Sequence, residues 1–402
     1  MADTTSLAEA RAIQGWITAI RRELHMYPEI MYEEVRTGEV VRRTLDELGI
    51  RYQFPVARTG VVATLGTGAS PCVALRADMD ALPIEEELDL EFKSRMPGRM
   101  HACGHDSHTA MLLGAARLLK ARESELRGTV RLIFQPAEEG GAGGDLMVKE
   151  GALAHPTVDR IFGLHVWPYI PTGTVGARAG VFLAAAGFFE VTITGKGGHA
   201  AFPHMTFDPV ATAAKLAVEL QTIVSREVDP LVPAVLTVAS IHGGSASNVI
   251  PPDVRMTVRS LTMDGLRFLQ QRIREMSAHV ADANRCAATV AFPGNGYPPT
   301  INDAACWQDA RAIATTMLGD DKVLELDPVM GGEDFAFYGA HAKACFVAVG
   351  TRNETIGATY TVHHPKFMLD EDALPIGTAL HVDYARRFTA TLECESPLQD
   401  VG

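Results

Sequence analysis

The order of predicted helices and strands changes near Gly187, and this change is the strongest constraint on the fold. Between residues 188 and 299 the hydrophobic pattern predicts strand, helix, strand, strand, helix, strand. This β-α-β-β-α-β order is typical of a ferredoxin-like sandwich, which can fold as a unit of its own. The predicted elements span residues 188–194, 208–225, 234–242, 253–259, 265–283 and 287–291.

On both sides of this unit, short apolar strands alternate with amphipathic helices. Such alternation predicts an α/β fold with a mostly parallel sheet covered by helices. We therefore predict that residues 1–187 and 300–402 form one large domain, into which residues 188–299 are inserted as a smaller α+β domain. The predicted strands span 61–65, 72–75, 129–134, 160–166 and 344–349, and the predicted helices span 7–25, 36–48, 107–121, 304–318 and 374–388.

Charge and cysteine usage narrow the class of protein. A formal net charge of −13 argues against nucleic acid or an anionic membrane as a partner. No signal peptide is expected, because residues 1–22 contain no continuous apolar stretch. No membrane-spanning segment is expected either, because no run approaches the roughly 20 apolar residues of a spanning helix. The few cysteines form no dense disulfide framework, which is typical of a cytoplasmic protein. They are Cys72, Cys103, Cys286, Cys306, Cys345 and Cys394.

The strongest chemical signal is the segment His101-Ala102-Cys103-Gly104-His105-Asp106-Ser107-His108. A thiolate and an imidazole two residues apart on a glycine-containing turn can bind one borderline-soft cation such as zinc. A buried cysteine beside surface histidines is the plainer alternative, and a third makes Cys103 a nucleophile with a histidine base. The density of ligand-type side chains favours metal binding. Ser107 is the predicted N-cap of the helix that follows.

Two adjacent carboxylates, Glu138 and Glu139, follow the predicted strand that ends at Phe134. Ligand sites of open α/β sheets lie at the carboxyl ends of strands. Neighbouring side chains of a turn diverge, so one carboxylate can bind a metal while the other holds a water and accepts its proton. Taken alone, the pair is equally typical of a solvated acidic turn.

Carboxylate and imidazole side chains also occur at the ends of other strand-like segments. Asp78 and Asp80 follow an apolar strand, where they can orient an imidazole ligand, bind a metal or cap a turn. We count both among the candidate catalytic residues. His165 ends another apolar run, and His363 and His364 precede the last predicted helix. The convergence of these segments favours His165 and one of the C-terminal pair as ligands.

The inserted domain contributes a glycine-rich stretch, residues 195–204, that contains His199. The stretch lacks the Lys-Ser/Thr ending of a phosphate-binding loop, so phosphate binding is a poor interpretation. A histidine at a tight turn can donate a hydrogen bond to a developing oxyanion. Asn248 and Arg259 carry groups that suit a substrate carboxylate. Spacing alone nevertheless favours ordinary polar residues of a hairpin at both positions.

Together these segments resemble a known family. The chain is similar to metal-dependent amidohydrolases of the aminoacylase and carboxypeptidase-G type, in the branch of hippurate hydrolase and the plant auxin–amino acid conjugate hydrolases. In one motif, Gly332 stands where the family has a small hydroxyl residue. The motifs that carry the resemblance, in chain order, are residues 24–29 (LHMYPE), 76–83 (RADMDALP), 100–106 (MHACGHD), 135–140 (QPAEEG), 198–200 (GHA), 248–251 (NVIP), 332–335 (GEDF) and 363–365 (HHP).

The resemblance implies a metallopeptidase-like catalytic domain at 1–187 and 300–402, and a lid and dimerisation domain at 188–299. It implies two divalent metal ions per subunit, Zn²⁺ or Mn²⁺, with Co²⁺ or Ni²⁺ as alternatives. It makes Glu138 the general base, and it prefers His363 to His364 because the family's ligand lies two residues before the proline. The implied metal ligands are Cys103, His105, Glu139, His165 and His363.

The resemblance also implies roles in the inserted domain. His199 would reach the substrate carbonyl, often from the partner subunit, while Asn248 and Arg259 would hold the carboxylate of the amino acid. The implied partners are a small-molecule substrate and further copies of the chain, as a homodimer or homotetramer.

The implied reaction is hydrolysis of the amide bond of N-acyl amino acids, such as hippurate-like, N-acetyl or indole-acetyl conjugates. The products are a carboxylic acid and a free amino acid. A dipeptidase or carboxypeptidase of the same fold is the nearest alternative. A cysteine hydrolase using Cys103 and a metal-poor binding protein are more distant ones. The sequence leaves the acyl group, the native metal and the bridging ligand open.

Overall fold

The structure, a computed structural model, describes residues 5–262, 265–292, 294 and 296–390, with the backbone alone at 5, 257–262 and 390. The chain divides into two compact units. Unit 1 comprises Met1–Gly180, Ile301–Asp327 and Asp334–Gly402, and unit 2 comprises Val181–Thr300 and Pro328–Glu333. Residues 181–187, Thr300 and Pro328–Glu333, which we expected in the large domain, belong to unit 2. Pro328–Glu333 hydrogen-bonds to the chain near Leu183 and Ala184.

Strands and helices are numbered here in chain order. The strands are β1 (Arg51–Val56), β2 (Gly60–Gly66), β3 (Cys72–Asp78), β4 (Thr129–Gln135), β5 (Arg160–Pro171), β6 (Val175–Ala177), β7 (Gly180–Leu183), β8 (Ala185–Thr194), β9 (Gly198–His199), β10 (Ala234–His242), β11 (Val249–Ile250), β12 (Asp253–Thr262), β13 (Ala287–Ala291), β14 (Thr300–Asn302), β15 (Val323–Glu325) and β16 (Lys343–Arg352). The helices are α1 (Thr5–Ala12), α2 (Gln14–Met26), α3 (Val35–Glu47), α4 (His105–Ala121), α5 (Gly143–Lys149), α6 (Pro209–Thr222), α7 (Leu266–Ala283), α8 (Ala304–Leu318) and α9 (Leu374–Ala390).

Unit 1 is built on an eight-stranded sheet in the order β1-β2-β4-β3-β5-β16-β6-β15. Its centre is parallel: β3 pairs with β4 and β5, and β5 pairs with β16, in parallel registers. β3 and β4 are buried along their whole lengths, as expected for parallel strands covered on both faces. The predicted α/β class with a mostly parallel sheet is confirmed. The antiparallel pairs at the edges, such as β1 with β2, were not predicted.

Two predicted helices of unit 1 differ from the structure, one by an interruption and one at its N-terminus. The single helix predicted over 7–25 is interrupted at Ile13, between α1 and α2. α4 begins at His105, after Gly104, so the prediction of Ser107 as the N-cap was wrong. The Ser107 hydroxyl instead donates to the Gly104 carbonyl within the first turn. Among the described residues, no helix is long and apolar enough to cross a membrane.

Unit 2 contains a four-stranded antiparallel sheet in the order β10-β12-β8-β13, with α6 and α7 packed against it. The chain order of these elements is β-α-β-β-α-β, that of a ferredoxin-like sandwich. Alternate residues of β8, including Val191 and Ile193, point into a core that also receives Leu216 and Ile273 from the helices. A second, two-stranded ribbon joins β9 to β11.

Candidate metal centre

The carboxyl edge of the central parallel strands gathers most of the predicted ligands. β3 ends at Asp78, the turn after β4 carries Glu138 and Glu139, and His165 lies on β5 opposite Ala348 of β16. Chain ends of parallel strands meet at one edge of a sheet, so segments distant in sequence become neighbours here.

Cys103 and His105 flank Gly104, which turns the chain into α4. Gly104 has a φ of 85°, in the left-handed region, and a Cβ at this position would lie 2.5 Å from Cγ2 of Val166. Only glycine fits this conformation and this space. The turn therefore brings the thiol and the imidazole to the same side of the sheet edge.

Two overlapping groups of donor atoms share Cys103. In each group, all ligand atoms lie within 4.8 Å of one another. Cys103 Sγ lies 3.4 Å from Nε2 of His165, and His363 Nε2 lies 3.0 Å from Oε1 of Glu139. The structure thus brings together every ligand that we predicted. The two groups are Cys103, His105 and His165, and Cys103, Glu139 and His363.

The hydrogen bonds of the His105 and His165 imidazoles at Nδ1 leave Nε2 of each ring facing the centre. His165 Nδ1 donates to the Val166 carbonyl at 2.7 Å, so its Nε2 carries the lone pair that faces Cys103. His105 Nδ1 lies 3.2 Å from Oδ1 of Asp80, while its Nε2 is buried without a hydrogen-bond partner among the described residues. Glu139 Oε1 is likewise buried, and Nε2 of His363 lies 3.0 Å from it. Buried polar atoms without partners are rare, and a cation would satisfy Nε2 of His105.

The electrostatics of the centre also favour a cation. Burial lowers the pKa of His105, but the Asp78, Asp80 and Glu139 carboxylates outweigh burial and raise that pKa to about 10. Burial, together with the charges of Glu139 and other carboxylates, raises the pKa of the Cys103 thiol well above its usual value. Burial holds the pKa of His165 well below its ordinary value, so His165 is neutral. Excess negative charge in a buried pocket binds protons when no metal is present.

Asp78 and Asp80 each form a hydrogen bond with the Nδ1 of a different histidine. The strand ends at Asp78, so the two do not continue on one strand face. Asp80 accepts from Nδ1 of His105 through one oxygen and from the Glu139 N–H, at 2.9 Å, through the other. Asp78 Oδ1 lies 2.6 Å from Nδ1 of His108, whose Nε2 accepts from the Val166 N–H at 2.9 Å. His108 therefore has both nitrogens engaged, a supporting role that we did not predict.

The turn that carries Glu138 is held at several backbone atoms. Ala137 has a φ of 56°, in the left-handed region that a residue with a side chain rarely adopts. Its N–H donates to the Glu34 carboxylate at 2.9 Å. Glu138 Oε1 accepts from the Asp334 N–H at 3.3 Å. These bonds direct the Glu138 side chain beside Glu139 and His105, whose ligand atoms lie within 4.8 Å of it.

Glu34 is a second functional candidate that the sequence analysis missed. It is fully buried and accepts from the Thr59 hydroxyl at 2.6 Å as well as from Ala137. Burial raises its pKa to about 7, although both hydrogen bonds act in the opposite direction. A buried carboxylate cannot be distinguished from an exposed one by sequence alone, and Glu34 lies in no motif that we singled out.

A separate buried network of charged side chains contacts the first turn of α4. His25 Nδ1 lies 2.8 Å from Oδ2 of Asp106, and its Nε2 lies 3.2 Å from Oε1 of Glu86. Arg21 donates to the same Asp106 oxygen at 2.9 Å. Burial and Arg21 act to lower the pKa of His25, but the hydrogen bonds to Asp106 and Glu86 raise it overall. This network fixes the first turn of α4, on which His105 lies.

Replacing His25 by glutamine should destabilise the fold most at low pH. A raised folded-state pKa means that protonated His25 stabilises the native state fully below about pH 6.5, its unfolded value. That contribution is lost as pH rises through the higher folded-state pKa. We expect the gap in melting temperature between wild type and His25→Gln to be widest at acid pH and to shrink at alkaline pH. A gap that widens with pH would contradict this assignment.

In unit 2, the predicted site residues lie in two places: His199 and Asn248 at the β9–β11 ribbon, and Arg259 in the four-stranded sheet. His199 is exposed on β9, pairs with Val249 of β11, and accepts from the Ala201 N–H at 3.0 Å through Nδ1. Asn248 directly precedes β11, and its carbonyl accepts from the Ala200 N–H. The two therefore share one ribbon. Arg259 lies on β12, and its side chain is outside the part of the chain that is described.

Comparison with known proteins identifies the family of the chain. The sequence model of peptidase family M20/M25/M40 matches residues 74–387. The chain belongs to this family. Two curated relatives are IAA-amino acid hydrolase ILR1-like 4 of Arabidopsis thaliana, 46% identical over 97% of this chain and 90% of the relative, and N-acetyl-L-cysteine deacetylase of Bacillus subtilis, 42% identical over 96% and 91%.

A solved structure extends the comparison to the fold. The YXEP protein of Bacillus subtilis, a dinuclear metal-binding peptidase of the M20 family, superposes with a TM-score of 0.76 at 34% identity. The match covers 95% of this chain and 100% of that one. The expectation of a hydrolase from this family, and of its fold, is confirmed.

Proposed function

We propose that this member of the M20 family uses two divalent metal ions to hydrolyse N-acyl amino acids to a carboxylic acid and a free amino acid. The observation that carries the proposal is the buried donor set around Cys103, with the carboxylate of Glu138 beside it. The relatives named for hydrolysis of IAA-amino acids and for deacetylation of N-acetyl-L-cysteine support the substrate class.

The donor set fits divalent cations of borderline softness. Thiolate and imidazole suit Zn²⁺, Co²⁺ or Ni²⁺, and the carboxylate also suits Mn²⁺. The residues that would hold the ions are Cys103, His105, Glu139, His165 and His363, and Cys103 belongs to both donor groups. When bound, such ions polarise a carbonyl group and lower the pKa of water toward neutrality.

The protein's own groups would then move the proton. Glu138 accepts a proton from the attacking water at a carboxylate oxygen while the water oxygen bonds to the amide carbon. His199 is proposed to donate a hydrogen bond to the developing oxyanion. Glu138 then gives the proton to the amide nitrogen, the C–N bond breaks, and the free amino acid leaves.

Substrate orientation is proposed for the residues of unit 2. Asn248 and Arg259 would hold the carboxylate of the amino acid, by an amide and a guanidinium respectively. Asp80 would keep the His105 imidazole in the orientation that it shows here, and Asp78 would act through His108.

A cysteine hydrolase fits the geometry poorly. A nucleophilic thiol needs a lowered pKa, usually from a neighbouring cation. Here burial and the Glu139 charge raise the pKa of Cys103, while burial lowers that of His165, so neither partner favours a thiolate–imidazolium pair. A peptidase acting on dipeptides or peptide C-termini stays the nearest alternative, since the structural relative is itself called a peptidase.

We also propose that the chain works in the cytoplasm as a homodimer or homotetramer assembled through unit 2. β10 is an edge strand of the four-stranded sheet, and Val235 and Ile241 on it are exposed. Exposed apolar side chains on an edge strand suit pairing with a second copy. Cys72, Cys103, Cys286, Cys306 and Cys345 are all free thiols, as suits a reducing compartment.

A substrate panel tests the proposed reaction. The purified chain, stripped and then loaded with Zn²⁺, Mn²⁺, Co²⁺ or Ni²⁺, is assayed for released amine from N-benzoyl, N-acetyl and N-indole-acetyl amino acids, and from dipeptides and C-terminally extended peptides. We expect turnover of at least one N-acyl series with kcat/KM well above that for any peptide. Preference for peptides would replace the proposal by its alternative, and turnover that survives chelation would overturn the metal-dependent mechanism.

A further inference from the structure

A buried polar cluster lies between β3, β4 and the start of the 3₁₀ helix Asp334–Ala340. At its centre is Arg76, whose side chain is fully buried. The guanidinium donates from Nε to Gln135 at 2.9 Å, from one terminal nitrogen to Asp78 at 2.6 Å, and from the other to Asp334 at 3.0 Å. Burying a guanidinium is unfavourable unless acceptors surround it, and here each of its three nitrogens has one.

The Asp334 carboxylate is fully buried and accepts three hydrogen bonds. One of its oxygens accepts from Arg76 and from the Gln135 amide, at 2.7 Å, and the other accepts from the Gly144 N–H at 2.8 Å. Three N–H donors thus already occupy the carboxylate. That occupation argues against Asp334 as a metal ligand, although it lies close to Glu138.

The backbone of Asp334 reaches the proposed general base. Its N–H donates to Glu138 Oε1 at 3.3 Å, and Gln135 lies three residues before Glu138 on the same turn. The carboxylate of Asp334 therefore ties its own peptide group to both ends of the Glu138 turn, through Gln135 on one side and Gly144 on the other. A small displacement of Asp334 would move the hydrogen bond that orients Glu138.

We propose that Asp334, held by Arg76, is a positioning residue for catalysis: it fixes the peptide N–H that orients the Glu138 carboxylate. This inference rests on the proposed function, in which Glu138 moves the proton. Catalytic proton transfer is sensitive to geometry, and a misplacement of about 1 Å can lower a rate by about a hundredfold. Asp334 acts through Glu138 and needs no contact with the substrate.

Two variants disturb this link in different ways. Asp334→Asn keeps the size but offers only one acceptor atom, so its NH₂ group must face one of the three donors. Gly144→Ala leaves every charge in place, but its Cβ would lie 2.8 Å from the Asp334 carbonyl oxygen and 3.3 Å from the Asp334 carboxylate, so Asp334 must shift and its N–H with it. Asp370→Asn is the matched control. Asp370 is a buried aspartate of unit 1 that accepts from Asn353 and that we place outside the site.

The experiment measures kcat, KM, bound metal per chain and melting temperature for each variant. We expect Asp334→Asn and Gly144→Ala to lower kcat by about 10–100-fold while KM changes by less than about twofold and bound metal stays at the wild-type level. Asp370→Asn should leave kcat unchanged. If Asp334→Asn fails to fold, the kcat and metal content of Gly144→Ala test the proposal in its place. Loss of metal in parallel with kcat, or unchanged kcat in a folded variant, overturns the proposal.

A double-mutant cycle asks whether Asp334 acts through Glu138. Glu138→Asp shortens the side chain away from the Asp334 N–H, so adding Asp334→Asn should then lower kcat by less than about twofold. If Asp334→Asn lowers kcat by the same factor in both backgrounds, Asp334 acts elsewhere and the proposal is wrong. If Glu138→Asp alone leaves kcat at the wild-type level, the assignment of Glu138 fails instead, and with it the base in the proposed function.

Discussion

Replacing Glu138 by glutamine should lower kcat by about 10²–10⁴-fold, the range typical for loss of a positioned general base. Glutamine keeps the size of the side chain and an oxygen that can accept the Asp334 N–H, so the turn should keep its conformation. It cannot accept a proton from water at neutral pH. The change therefore isolates proton transfer from folding and from metal binding.

The measurement needs a readout for each of these properties. Bound metal per chain, determined by elemental analysis, should stay at the wild-type value, because Glu138 is not among the proposed ligands. KM should change little if Glu138 does not bind the ground state. Glu150→Gln is the matched control: Glu150 is an exposed carboxylate of unit 1 that accepts from the Ala57 N–H, and its loss should not affect kcat. A Glu138→Gln variant with near-normal kcat would remove Glu138 from the mechanism.

The sequence predicted the parts of the fold that depend on hydrophobic periodicity. β10 and β13 have the bounds that were expected, and the order of elements in unit 2 is as predicted. β1, which is mostly exposed, was missed because its Arg51–Val56 stretch lacks a run of buried apolar residues. The interruption at Ile13 was also missed, because the apolar spacing continues through it at nearly helical period.

The candidate metal ligands could be predicted where their residue types cluster in sequence or at predicted strand ends. Cys103 and His105 lie close in sequence, in a segment dense with ligand types. His165 required the further argument that strand ends converge at one edge of a parallel sheet. The choice of His363 depended on resemblance; in the structure His363 lies beside Glu139, whereas His364 accepts from the Lys366 N–H and stacks on Tyr360.

The supporting residues could not be assigned from sequence. Glu34 accepts from the Ala137 N–H and Asp334 accepts from the Gly144 N–H, and a hydrogen bond to a distant peptide N–H leaves no spacing pattern. His108 lay in the strongest motif, but its two hydrogen bonds distinguish it from a ligand only when Val166 and Asp78 are seen in place. Residues that orient a ligand depend on tertiary contacts, which a motif does not record.

Removal of metal should abolish activity, and replacing Cys103 by alanine should prevent its full recovery. Dialysis against a chelator followed by a divalent salt should restore wild-type turnover. Cys103→Ala removes the donor that both groups share, so it should lower bound metal per chain and turnover together. Cys345→Ala is the control, because Cys345 is also a buried free thiol whose pKa is raised by burial. It should keep full metal content; equal metal content in Cys103→Ala would contradict the assignment.

The same metal binding should release protons and strengthen as pH rises. In the metal-free protein at neutral pH, the Cys103 thiol and the His105 imidazole both hold protons. Burial and neighbouring carboxylates raise the pKa of Cys103, while burial lowers the pKa of His105 but the carboxylates outweigh it and raise that pKa to about 10. A cation must displace these protons from its ligands. Calorimetry at pH 7 in buffers of different ionisation enthalpy should therefore show proton release for the wild type and less release for Cys103→Ala. Affinity that falls between pH 6 and 8 would mean that the ion binds elsewhere, since no ligand of this centre loses affinity by giving up its proton.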